Sequence, residues 1–235
     1  MTVGCLPIAL HLFVFSLDSE WSRYLLEGGR GGDVDARSKD GRTALMWSCR
    51  NGALSVAQSL VRAGADPTAV SKKGVSCLHW AVWGQQPELA AWLLSPPNSL
   101  DLEGCSDAGC NAAIWAAASG GLAIAQWLRK QGANFAALNH WGHGVVNKAA
   151  WRGHIDLLRW LFAEIPATID QLFMRDYAGF VPVELAAQAG HDETERFLTD
   201  IMKQNPQEFR PAITEDPVVH QHKLRELGLT DPNAL

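Results

Sequence analysis

Two apolar anchors 15 residues apart recur six times along the chain: Leu10 with Leu25, Leu45 with Leu60, Leu78 with Leu93, Ala113 with Leu128, Val146 with Leu161, and Val183 with Leu198. The first anchors follow one another at steps of 35, 33, 35, 33 and 37 residues. A unit this short cannot bury its own apolar face, so it is stable only when stacked on a neighbour, and the stack grows as a solenoid. The steps longer than 33 place their extra residues in turns, at Ser95–Glu103 and Ala163–Gln171, where helix packing is left intact.

Each unit carries further matching positions. Thr43, Ser76 and Asn111 stand where a side-chain oxygen caps the free N–H groups of a starting helix. Small pairs follow at Ser48-Cys49, Ala81-Val82, Ala116-Ala117, Ala149-Ala150 and Ala186-Ala187, which lets neighbouring helices approach closely. Gly64 and Gly132 sit where a helix ends in a left-handed residue. Gly144 and Val181 replace the capping residue in two units, so those helix starts are expected to be less well fixed, and Gln85 replaces a glycine between helices.

These positions resemble the ankyrin repeat, whose period is 33. Thr43-Ala44-Leu45, Ser76-Cys77-Leu78-His79 and Pro182 are similar to its T-P-L-H helix start. Gly153-His154 and Gly190-His191 are similar to its inter-helix Gly-His, and Gly64-Ala65-Asp66 and Gly132-Ala133-Asn134 to the turn that follows. The resemblance implies an all-α ankyrin-type solenoid of about six helix-turn-helix repeats. A repeat domain is expected over residues 1–203, its first repeat (about 8–36) degenerate. Residues 204–235, polar and broken by Pro206, Pro211, Pro217 and Pro232, are expected as a loosely docked or disordered tail, with a short amphipathic helix over His222–Leu229.

The stretch from Met1 to Leu17 has no charged side chain, but it lacks the basic start of a secretory leader, and Asp18 and Glu20 cut it short of a membrane span. It reads as a divergent capping repeat, with an N-terminal targeting leader as the alternative. The formal charge of −5, with no basic run, argues against nucleic-acid binding. Five cysteines without a C-x-x-C pair suit reduced thiols, hence a cytoplasmic or nuclear protein.

The 10 tryptophans fall largely into columns of the repeat. Tyr24, Ser59, Trp92, Trp127, Trp160 and Phe197 precede the second anchor and are expected to form a core seam. Trp47, Trp80, Trp115, Lys148 and Leu185 precede the small pair and also read as core, with Lys148 marking a wet edge. A third column, which the resemblance puts on the concave face, reads Arg50-Asn51, Trp83-Gly84, Ala118-Ser119, Trp151-Arg152 and Gln188-Ala189. Trp83 and Trp151 flank an open gap at the small Ala118, with Arg50, Asn51 and Arg152 nearby, a composition typical of an interface hot spot; the alternative is that both rings fold back over adjacent units. The turn tips add His140, Trp141, Asp176 and Tyr177, which either extend the contact surface or lie flat on the stack.

No phosphate loop, H-E-x-x-H or G-x-S-x-G occurs. The pairs His140/His143 and His220/His222 lack companion ligands, so no metal or other cofactor is expected. The expected function is non-catalytic: a monomeric module or adaptor that binds another protein through its concave face and turn tips. The alternatives are a regulatory or targeting subunit of an enzyme complex, or a structural spacer.

Overall fold

The computed structural model describes residues 33–212, 216–226 and 228–229. The expected first repeat and the membrane or leader question at Met1–Leu17 fall largely or wholly outside the described residues. Backbone contacts divide the chain into two compact units, Met1–Ser106 and Asp107–Leu235. The boundary follows directly on the Ser95–Glu103 insertion.

The described residues of the first unit form two antiparallel helix pairs: α1 (Ala44–Asn51) with α2 (Leu54–Arg62), and α3 (Cys77–Trp83) with α4 (Pro87–Leu94). Thr43 Oγ1 accepts the Met46 N–H at 3.4 Å and so caps α1. At α3, His79 Nδ1 instead reaches back to the Ser76 N–H at 3.2 Å, which occupies the histidine inside its own repeat. The anchors Leu45, Leu60, Leu78 and Leu93 and the small pairs Ser48-Cys49 and Ala81-Val82 are all buried, as the periodicity requires. Gln85 takes the left-handed φ of 57° that its column otherwise gives to glycine, a conformation costing a side-chain-bearing residue about 1–2 kcal/mol.

The second unit continues the pattern with α5 (Ala112–Ser119), α6 (Leu122–Lys130), α7 (Val145–Trp151), α8 (Ile155–Glu164), α9 (Pro182–Gln188) and α10 (Asp192–Gln204). Asn111 Oδ1 caps α5 through the Ile114 N–H at 3.1 Å. The histidine after each inter-helix turn rests on the glycine of the repeat before it: a Cβ on Gly120 would lie 2.5 Å from His154 Cε1, and one on Gly153 would lie 2.6 Å from His191 Nδ1. His154 Nε2 is 3.3 Å from the Ala118 carbonyl oxygen. Burial of the ring, together with the Arg152 and His191 charges, outweighs this hydrogen bond and lowers the His154 pKa.

Two helix starts differ from expectation. Gly144 has no capping side chain, yet α7 is well anchored, because Asn147 Oδ1 accepts the Gly144 N–H at 3.1 Å and Gln171 Oε1 accepts the Val146 N–H at 3.1 Å. Gln171 comes from the long insertion, which forms a 3-10 helix (Pro166–Phe173) with Thr168, Gln171, Leu172 and Phe173 buried. The same side chain donates to the Phe135 carbonyl at 2.9 Å. A Cβ on residue 144 would run into the Gln171 amide, so the missing cap and the inserted segment are one device. At α9, Glu184 Oε2 accepts the Val181 N–H at 3.0 Å, and Pro182 begins the helix with no N–H to satisfy. Gln171→Ala should leave two buried backbone groups unpaired and cost about 2 kcal/mol. Urea denaturation, with faster amide exchange at Val146, checks this; an unchanged midpoint would mean that α7 holds without the graft.

Beyond α10 the chain doubles back. Strand β2 (Arg210–Pro211) pairs in parallel with β1 (Met174–Arg175), and the Ala212 N–H donates to the Arg175 carbonyl at 2.8 Å. Helix α11 covers Pro217–Glu226 rather than the expected His222–Leu229. Asp216 Oδ1 caps it by accepting the Val218 N–H at 2.8 Å. Gly228 and Leu229 close its far end, donating to the Arg225 and Leu224 carbonyls at 3.0 and 2.8 Å.

Candidate functional site

In the first unit the indoles of Trp47 and Trp80 stack with centroids 6.3 Å apart and planes 22° from parallel. The Arg42 guanidinium lies 5.2 Å from the Trp47 centroid and 4.5 Å from that of Trp80. Arg50 lies 5.7 Å from each. Two cations over a stacked aromatic pair are held by ring quadrupoles, each contact worth about 0.5–2 kcal/mol. Arg50 and Asn51 are half-buried at the end of α1, and Trp83 is half-buried at the end of α3. Trp47, expected in the core, keeps partial exposure, so the cluster reaches the surface. Arg42 joins the site without a clear signal in the sequence, because it precedes the helix and meets Trp80, a repeat away, only after the units stack.

In the second unit Trp151 is half-buried and Arg152 exposed, at and just beyond the end of α7. Ala118 is only 2% exposed, which corrects the expectation of an open gap there: a methyl group in a buried position offers no space to a partner. Lys148 corrects another expectation. It is 3% exposed, so this column is dry at that position rather than wet. The second-helix column departs in the opposite sense. Ser59, Trp92, Trp127, Trp160 and Phe197 all stay half-buried, and the core lies one residue further on, at the leucine anchors.

The turn tips separate into scaffold and surface. Asp176 is 7% exposed and Trp141 8%. The Asp176 carboxylate accepts the Ala178 and Phe180 N–H groups, both at 2.9 Å, and pairs with His143 Nε2 at 2.8 Å. With its oxygens so used, Asp176 builds the turn and is not the exposed contact that its composition suggests. Asn139 does the same one repeat earlier, accepting from Trp141 and His143 N–H at 3.0 and 2.9 Å. His140 and Tyr177 retain partial exposure. Tyr177 packs edge-on to Trp141 at 5.9 Å, and its N–H donates to the Trp141 carbonyl at 3.0 Å, joining consecutive tips. Against them lies His220 of α11, whose ring is 5.0 Å from Tyr177 and whose Nε2 donates to the His140 carbonyl at 2.7 Å.

Among the described residues no group of His, Cys, Asp and Glu is arranged to hold a metal, and no helix is long and apolar enough to cross a membrane. Cys49, Cys77, Cys105 and Cys110 are not joined in disulfides. Burial and the neighbouring Cys77 push the Cys49 thiol well above its ordinary pKa, which disfavours the reactive thiolate.

The helix pairs, caps and stacked turns agree with the family comparison. Residues 6–71 match the family model for ankyrin repeats (3 copies), and residues 113–162 that for ankyrin repeats (many copies). Both stretches of the chain are ankyrin repeats. Over 94 residues it is 34% identical to neurogenic locus notch homolog protein 1 of Danio rerio, a stretch covering 40% of this chain and 4% of that protein. The human notch homolog protein 1 matches at 33% identity over 94 residues, with the same shares. A Danio rerio protein with a palmitoyltransferase name, ZDHHC13, is 38% identical over 72 residues, 31% of this chain and 10% of its own length. The chain therefore spans only 4–10% of the length of these relatives. Ankyrin repeats generally serve as non-catalytic modules of protein–protein interaction, and the fold here is the all-α stack of helix pairs typical of them.

Proposed function

We propose that this chain is a recognition module that binds a partner protein through two surfaces. One is the concave helix ends of the first unit, Arg50, Asn51 and Trp83 beside the Arg42–Trp47–Trp80 stack. The other is on the second unit, Trp151 and Arg152 with the tips His140 and Tyr177. The observation that carries this reading is the stacked indole pair under two guanidinium groups at the surface. It is a rigid array of the residue types that dominate interface energetics, and it costs little conformational entropy to present.

The test compares proximity-labelled partners of the wild type with those of Trp83→Ala, Arg50→Ala and Trp151→Ala, followed by titration of each captured protein. Loss of a hot spot costs at least about 2 kcal/mol, more than a tenfold loss of affinity. Melting temperatures measured in parallel separate lost contacts from lost folding. Unchanged affinity in all three variants would remove the concave side chains from the site. A second reading, a non-catalytic targeting part of an enzyme complex, draws support from the similarity to the palmitoyltransferase-named relative. It predicts that the captured partner is an enzyme whose location, rather than turnover, depends on this chain.

A further inference from the structure

We propose that the turn tips of the second unit form a groove for a short amphipathic helix, and that the chain's own α11 occupies it as a displaceable cover. The proposal rests on reading the tips as a binding surface and names what fits there. The tail reaches the tips along β1, where the Phe209 ring lies 6.0 Å from Phe173 and the Arg175 guanidinium 4.9 Å from the Phe209 centroid. Arg210 pairs with Asp170 at 3.3 Å. Helix α11 then crosses the His140–Trp141 and Tyr177 turns.

Its hold on them is narrow. Among its described side chains only His220 and Leu224 are buried, each 3% exposed, and they stand one helical turn apart on one face. Val218 and Val219, on other faces, are largely exposed. The ends of α11 are satisfied by residues of the tail itself, Asp216 before it and Gly228 after it. Leaving the groove thus withdraws these two buried side chains and breaks no capping bond.

Recognition of a helix by anchors at i and i+4 is a recurrent mode of partner binding. Here the anchors are a ring N–H donor for the His140 carbonyl and a leucine. A partner helix with the same pair, an imidazole or indole followed four residues later by leucine, competes for the same contacts. Because the tail is tethered, its effective concentration is high, and such a partner gains access when the tail is released or when it binds more tightly than the tail does.

The test uses the full chain and a labelled synthetic peptide of residues 205–229. Wild type, with its groove filled, is expected to bind the peptide weakly. Leu224→Asp and His220→Ala should bind it at least about tenfold more tightly, as expected when a tethered competitor is removed. Adding Tyr177→Ala to Leu224→Asp should abolish uptake. Amide exchange across α5 to α10 verifies that each variant remains folded. Folded variants that fail to bind the peptide overturn the groove. Wild-type amides over 216–226 that exchange as fast as those of the free peptide overturn the cover. A concentration-dependent wild-type dimer that Leu224→Asp abolishes assigns the groove to a second copy's tail and overturns the cover within one chain. Peptide uptake combined with partner capture that is insensitive to Tyr177→Ala supports the groove and instead overturns the tips as a partner site.

Discussion

Gly84→Ala should destabilise the first unit strongly, although it adds a single methyl group. The backbone at Gly84 has φ −75°, which any residue adopts, so the effect is one of space alone. A Cβ there would fall on the Arg50 carbonyl oxygen and within 2.7 Å of the carbonyl carbon. Both are backbone atoms at the end of α1, which cannot swing aside as a side chain does. The helices must separate, and with them the close contact made by Ser48, Cys49, Ala81 and Val82, all buried. Overpacking of this kind costs about 3 kcal/mol or more. Arg50 would shift as well, away from the Trp47 and Trp80 rings, so tryptophan fluorescence should change along with stability. Because stacked repeats depend on their neighbours, amide exchange should rise first in α1 and α3. A variant melting within about 2 °C of wild type would show that α1 and α3 tolerate separation.

The second large effect is expected at Leu128. Its side chain is fully buried, so Leu128→Ala should cost about 3–5 kcal/mol through lost transfer energy and the cavity left behind. The neighbouring Trp127→Ala should cost less, about 2–3 kcal/mol, because the ring keeps partial exposure and water can fill the space it leaves, so no closed cavity remains. Size alone predicts the opposite order. Urea denaturation of both variants decides between them, with amide exchange locating the damage around α6 and α8. Equal costs would restore the tryptophan column as a core seam.

The anchors were legible because burial in a solenoid repeats with the sequence period. Among the described residues, each leucine at the second anchor position is buried, and so are the first anchors except Val183, on the last helix pair. Thr43 and Asn111 were legible as caps because capping is a local interaction, complete within four residues. The candidate site was less so. Asp176 and Trp141 have the composition of contact residues, but turn geometry consumes the carboxylate and covers the ring. Arg42 and Arg50 acquire their role only once Trp47 and Trp80, 33 residues apart, are stacked.

The repeat itself follows from the order of residues: its period, the places of the helices, and the leucines that face inward. Helix amphipathicity and capping operate over one or two turns, and a repeated pattern states them again in every unit. The exceptions are resolved only when the chain packs. Gly144 is a missing cap until Gln171 arrives from a later segment. Ala118 is a gap until packing closes it. The polar tail reads as loosely docked until His220, 80 residues beyond His140, finds that residue's carbonyl. These contacts join single positions far apart in the chain and recur in no other described repeat. No periodicity announces them, and the closing of the fold alone brings the partners within bonding distance.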